Sequence, residues 1–138
     1  MIFHLSDTDQ ELLKIYIDAI PERWRRQVEL QIKSATVTRE ITDSAYFVFF
    51  KADYAVHPVK MSRQVPVEVI FDEVSSEGKN YPPMIHPEKI TILDPNAFAI
   101  RLHFYNGYVS EMEVYCLSGN KLNLKDFNLR RRIYLYYE

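Results

Sequence analysis

Apolar positions follow two periods along this chain, helical near its start and strand-like from Thr36 onward. Leu12, Leu13, Tyr16, Ile17 and Ile20 recur at helical spacing after Ser6-Asp7-Thr8, where Thr8-x-x-Glu11 and Asp7-x-x-Gln10 each fit a capping box. Pro21 either kinks this helix or opens a second as its first residue. Trp24, Val28 and Ile32 carry the apolar stripe onward among Arg23, Arg25, Arg26 and Glu29. Two consecutive helices, about 8–20 and 22–33, are expected.

Thr36 to Ile41 then alternates, Asp43-Ser44 reads as a turn, and Ala45 to Lys51 reads as a buried strand. Residues 53–64 have no clear period and read as a loop. Val65 to Val74 is strand-like, with Pro66 near its start, where a missing N–H is tolerated. Residues 75–88 form a polar, proline-rich connection, Lys89 to Leu93 a short strand, and Asp94-Pro95-Asn96 a turn. Ser118-Gly119-Asn120 is a further turn, and Ile133 to Tyr137 a final strand. Helices first and strands afterwards predict an α+β fold, two N-terminal helices packed on a mostly antiparallel sheet.

The sharpest signal is Ile100 to Tyr115, with Asn106-Gly107 between two runs rich in aromatic and β-branched residues. A two-residue turn pairs Tyr105 with Tyr108, Leu102 with Glu111 and Ile100 with Glu113, setting two carboxylates on the apolar face. A three-residue loop with Gly107 in a bulge shifts the register and pairs Phe104 with Tyr108, Leu102 with Ser110, Ile100 with Met112, and Phe98 with Val114. The other face then holds Ala99, Arg101, His103, Val109, Glu111 and Glu113, with Arg101 directly opposite Glu111. The bulged loop is the expected form, with one face core and the other open to solvent or a partner.

At 138 residues the chain is expected to be a single domain, residues 1–138. Its 47% hydrophobic and 14% aromatic content exceed what disorder shows. Three glycines argue against a Gly-rich phosphate-binding fold, and the one cysteine, Cys116, excludes an intrachain disulfide and reads as a buried thiol. No secretory signal and no apolar stretch of membrane-spanning length is visible, so a soluble, cytoplasmic protein is expected.

Candidate chemistry is sparse. His4, His57, His86 and His103 have no metal-ligand spacing, no Gly-x-Ser-x-Gly elbow is present, and no dinucleotide or Walker glycine pattern occurs. No cofactor, no metal and no catalysis are expected. Glu111 and Glu113 project from one strand face nearly 7 Å apart, a spacing that suits paired carboxylates in hydrolysis but also simple solvation. A small hydrolase or small-molecule binder would need a pocket joining His103, Arg101 and Glu111 to a residue from elsewhere.

Charge is unevenly spread. Residues 62–115 hold four basic against eight acidic residues, net −4, whereas residues 116–138 hold five against two, net +3. An acidic sheet surface facing a basic partner is one reading, and an ordinary solvated surface the other. The tail RRRIYLYYE mixes basic and aromatic residues as nucleic-acid surfaces do, but a pI of about 6.1 argues against general nucleic-acid affinity.

The segment Leu102-x-Phe104-x-Asn106-Gly107-Tyr108-Val109-Ser110-Glu111-Met112-Glu113-Val114-Tyr115, followed by Ser118-Gly119, resembles a hairpin pattern of small bacterial immunity-protein domains from contact-dependent inhibition and polymorphic-toxin systems. The likeness covers the hairpin and its following turn, with Met112 where that pattern more often has Leu. It implies an immunity protein that neutralises a cognate toxin by occlusion, without catalysis. If the toxin were a basic nuclease domain, Asp72, Glu73, Glu111 and Glu113 would be natural contacts, with Arg101 and His103 beside them. The alternative is a cytosolic housekeeping or regulatory domain, with a homodimer through an exposed sheet edge in view.

Overall fold

The structure, a computed structural model, describes residues 4–60, 68–71, 97–122, 124 and 132–135. Helices α1 (Asp7–Asp18) and α2 (Glu22–Ser34) precede strands β1 (Thr36–Ile41), β2 (Ala45–Lys51), β3 (Glu68–Phe71), β4 (Phe98–Tyr105), β5 (Tyr108–Cys116) and β6 (Arg132–Leu135). The strands form one sheet in the order β1-β2-β5-β4-β3-β6, every pairing antiparallel. The α+β expectation holds. The expected strand at Lys89–Leu93, the connection before it and His86 lie outside the described residues.

Helix α1 starts one residue earlier than its pattern suggested. Ser6 is the N-cap: its hydroxyl accepts from the Asp9 amide (3.1 Å), and the Asp9 carboxylate accepts from the Ser6 amide (2.9 Å). The capping box is therefore Ser6-x-x-Asp9, not the Thr8–Glu11 or Asp7–Gln10 pairs. Asp9 is fully buried and also receives a hydrogen bond from Arg39 of β1, tying the helix start to the sheet. At the far end Ala19 and Ile20 donate to Tyr16 and Ile17, tight three-residue closures that end the helix before Pro21. Pro21 separates two helices rather than kinking one, and serves as the N-cap of α2. Arg25 donates to the carbonyls of Ile20 and Asp18, both at 2.8 Å, capping α1 from the next helix.

One sheet face is core. Leu12, Tyr16 and Ile17 of α1, Ile20 just beyond its end and Val28 of α2 pack on Val37, Val48, Phe50, Val69, Ile100, Leu102, Met112 and Val114. Burial of such aliphatic side chains contributes roughly 1.5–3 kcal/mol each. Cys116 continues this face as a buried thiol paired in register with Phe98.

The hairpin register differs from expectation. The chain forms the two-residue turn, pairing Tyr105 with Tyr108, with Asn106 at φ 51° and Gly107 at φ 82°. The objection to that turn was its two carboxylates on the apolar face. A bulge removes the objection: Phe104 pairs with Val109 but His103 pairs with Glu111, so Ser110 is the extra residue. Beyond it Leu102 faces Met112, Ile100 faces Val114 and Phe98 faces Cys116, two residues away from the expected pairs. An even slip preserves faces, so the core and outer assignments of residues 98–103 and 111–116 stand. Val109, expected outside, is buried in the core, and Tyr108, expected inside, packs its ring against Tyr54 at 4.9 Å.

Gln31 of α2 holds the hairpin tip. It is 3% exposed, donates to the carbonyls of His57 and Gly107 (3.0 Å each), and accepts from the Val109 amide (2.9 Å). Gly107 also lies so close to the 52–60 segment that an added Cβ would stand 2.6 Å from the Val59 carbonyl oxygen.

Candidate functional site

The sheet face opposite the helices gathers the chemistry-bearing residues. β4 presents Ala99, Arg101, His103 and Tyr105 there by alternation, and β5 presents Tyr115, Glu113, Glu111 and, past the bulge, Tyr108. β2 adds Phe47 and Phe49, which face Glu113 and Glu111 in register, while β1 adds Glu40 opposite Phe47.

Two groupings form on this face. In the first, Glu68 of β3 is 2% exposed and receives the Tyr115 hydroxyl on one carboxylate oxygen and the Arg101 guanidinium on the other (3.2 Å). The Arg101 guanidinium also lies 5.7 Å from the Tyr115 ring centroid. Burial, then the Glu68 hydrogen bond and charge, push the Tyr115 hydroxyl above the ordinary tyrosine range. A buried carboxylate held by one guanidinium and one hydroxyl is a satisfied structural arrangement.

In the second, His103 Nε2 lies 3.1 Å from Glu113 Oε1 and 3.6 Å from Glu111 Oε2, all three side chains partly exposed. Arg101 stands opposite Glu113, not Glu111 as the expected register had it, and His103 takes the place opposite Glu111. The bulge residue Ser110 donates its hydroxyl to the His103 backbone carbonyl at 3.1 Å, so it braces the strand rather than the imidazole. Beside these carboxylates the Phe47 and Phe49 rings stack with centroids 6.2 Å apart, both half-buried.

Of the sequence-derived candidates, Arg101, His103, Glu111 and Glu113 come together on this face, whereas Asp72 and Glu73 lie outside the described residues. Sequence reasoning passed over Glu68, Tyr115, Phe47 and Phe49. Glu68 sits inside the apolar run VPVEVIF, and a lone acid in such a run is the available signal for a buried, paired carboxylate. Phe47 and Phe49 look like core residues until β2 is known to pair with β5.

The face suits hydrogen bonding, cation capture and aromatic packing. Among the described residues no group of three His, Cys, Asp or Glu side chains could hold a metal ion, and no helix is long and apolar enough to cross a membrane. Comparison with protein-family models, with curated proteins and with solved structures finds no match for the chain.

Proposed function

We propose that the protein is an immunity-type binding protein that neutralises a cognate protein toxin in the cytoplasm by covering its active surface, without catalysis of its own. The observation that carries this reading is the face opposite the helices, where half-buried Phe47, Phe49 and Tyr108 and exposed Tyr105 surround ionisable residues on a rigid sheet. Aromatic anchors on a preorganised surface supply most of the energy of protein recognition, and surrounding charge supplies selectivity. The hairpin likeness to immunity domains points the same way.

The test starts from the reading frame immediately upstream. Its product's C-terminal domain is expected to arrest growth when expressed alone and to be tolerated when this chain is co-expressed. A Phe47→Ser/Phe49→Ser variant with an unchanged circular dichroism spectrum is expected to lose that protection. Undiminished protection by the folded double variant would refute the assignment to this face, and a harmless upstream domain would refute the immunity reading.

A second reading, a self-associating cytosolic domain, draws on the edge position of β1 and on Ile41 at its end, 72% exposed. It requires a dimer in light scattering that dissociates in Ile41→Lys.

A further inference from the structure

We infer that the surface between β2 and β5 is a recognition site for arginine side chains on a basic protein segment. The inference rests on the reading of this face as protein-binding and specifies what the partner must bring to it. Two adjacent register pairs, Phe47 with Glu113 and Phe49 with Glu111, repeat the same juxtaposition of a phenyl ring and a carboxylate. The two rings stack on one another, so their exposed parts form one apolar strip alongside the carboxylates. A guanidinium is the side-chain group that uses both halves of such a pair. It lies flat on an aromatic surface and donates paired hydrogen bonds to a carboxylate, which a compact ammonium does less well.

The charge balance of the face leaves these carboxylates for a partner. The face's own arginine, Arg101, is engaged by buried Glu68, and Glu111 and Glu113 both lie against the His103 imidazole. With Glu40 on β1 next to Phe47, and Lys51 two residues beyond Phe49 on β2, the described face carries four carboxylates against one guanidinium, one ammonium and one imidazole. The partner that complements this is cationic. The carboxylates are about a quarter exposed, enough to receive a ligand yet shielded enough that their charge acts at reduced screening. Each half of the site lies on one strand, but the site itself appears only where two strands distant in sequence meet.

The probe is a synthetic nona-arginine peptide, titrated into the full chain by calorimetry, with nona-lysine and nona-glutamate alongside. Nona-arginine is expected to bind more tightly than nona-lysine, and nona-glutamate not at all. Glu111→Gln/Glu113→Gln preserves side-chain shape and is expected to weaken nona-arginine binding at least about fivefold, as loss of partly exposed ion pairs implies. Glu11→Gln/Glu29→Gln removes the same charge from exposed positions on the helices and is expected to leave binding within about twofold. His103→Lys, which sets a fixed cation against both carboxylates, is expected to abolish binding. Equal loss in the two glutamine pairs, or none in Glu111→Gln/Glu113→Gln, would overturn the inference. Protection against the upstream domain that survives Glu111→Gln/Glu113→Gln but fails in Phe47→Ser/Phe49→Ser would overturn the arginine site while leaving the proposed function standing.

Discussion

Replacing Gln31 by Met removes a polar hub while keeping side-chain length, and the cost follows from what each former partner retains. The Gly107 carbonyl keeps the Val59 amide at 2.8 Å, and the His57 carbonyl keeps Gln27 Nε2 at 2.6 Å. Each loses one of two donors, about 0.5–1 kcal/mol apiece. Val109 is different: it is buried beside the bulge, and its amide loses the Gln31 acceptor altogether, about 1–3 kcal/mol. The sum is roughly 2–5 kcal/mol, which for 138 residues lowers Tm by roughly 7–17 °C. Gln27→Met, at a half-buried position with one hydrogen bond, should cost under about 1 kcal/mol. Gln31→Glu should be worse than Gln31→Met at neutral pH, because it keeps the acceptor for Val109 but turns a carboxylate toward two carbonyls. Urea denaturation gives the stabilities, and amide exchange at Val109 gives the local effect. A Gln31→Met loss below about 1 kcal/mol, or an unchanged Val109 exchange rate, would refute the hub.

Gly107 and Gly119 share a positive φ, so alanine at either costs about 1–2 kcal/mol, but only Gly107 has the Val59 oxygen and Pro58 Cβ within 3 Å of the new methyl. Gly107→Ala should therefore exceed Gly119→Ala by at least about 1 kcal/mol in urea midpoints, and equal losses would contradict the close approach. Burial pushes Tyr46 up to about 12 and moves Tyr16 and Tyr115 in the same direction. Between the ordinary tyrosine value near 10 and those raised values the folded chain holds protons that the unfolded chain has lost. Stability is then complete below pH 10 and falls as pH rises through 12, by at most about 2–3 kcal/mol from Tyr46. Urea midpoints at pH 9 and pH 11 that coincide would refute this. Glu68→Gln should cost about 1–3 kcal/mol, limited because Arg101 stays partly solvated. It should also lower the pH at which Tyr115 ionises in absorbance at 295 nm; an unmoved titration would detach Tyr115 from Glu68.

The helices and most strands were legible because each rests on a local period and a local stop. Thr36–Ile41 and Ala45–Lys51 match the sequence reading residue for residue. The capping box is hidden in the sequence because Glu or Gln usually fills its third helical position, whereas here Asp9 closes it and reaches Arg39 besides. The hairpin shows the limit of pattern reasoning more sharply. Alternation identifies the faces, but it does not show that a tight turn and a bulge can coexist, and the chain uses the tight turn together with a bulge at Ser110. Parity is written in a strand's own residues; register is decided by the turn and by Gln31 from a helix far away in sequence. The same reason hid the site. Glu111, Glu113 and His103 share one hairpin and could be grouped, while Phe47, Phe49 and Glu68 join them only through strand order.

That strand order has a consequence for when the protein becomes competent. β1–β2 and β4–β5 are local hairpins, each closed over a few residues, but β2 meets β5 across a separation that runs from Phe49–Glu111 to Ala45–Tyr115. Local hairpins form early, and the seam must overcome the closure entropy of the long intervening segment. Phe47 and Phe49 can form their strand with β1 while the ribosome is still making the rest, yet they acquire Glu111 and Glu113 as neighbours only after β5 has emerged. The recognition face is thus assembled at the joint between an N-terminal half and a C-terminal half, and neither half alone carries it. Binding activity in a growing chain would mark closure of that joint, making the ligand itself a reporter of when the two halves meet.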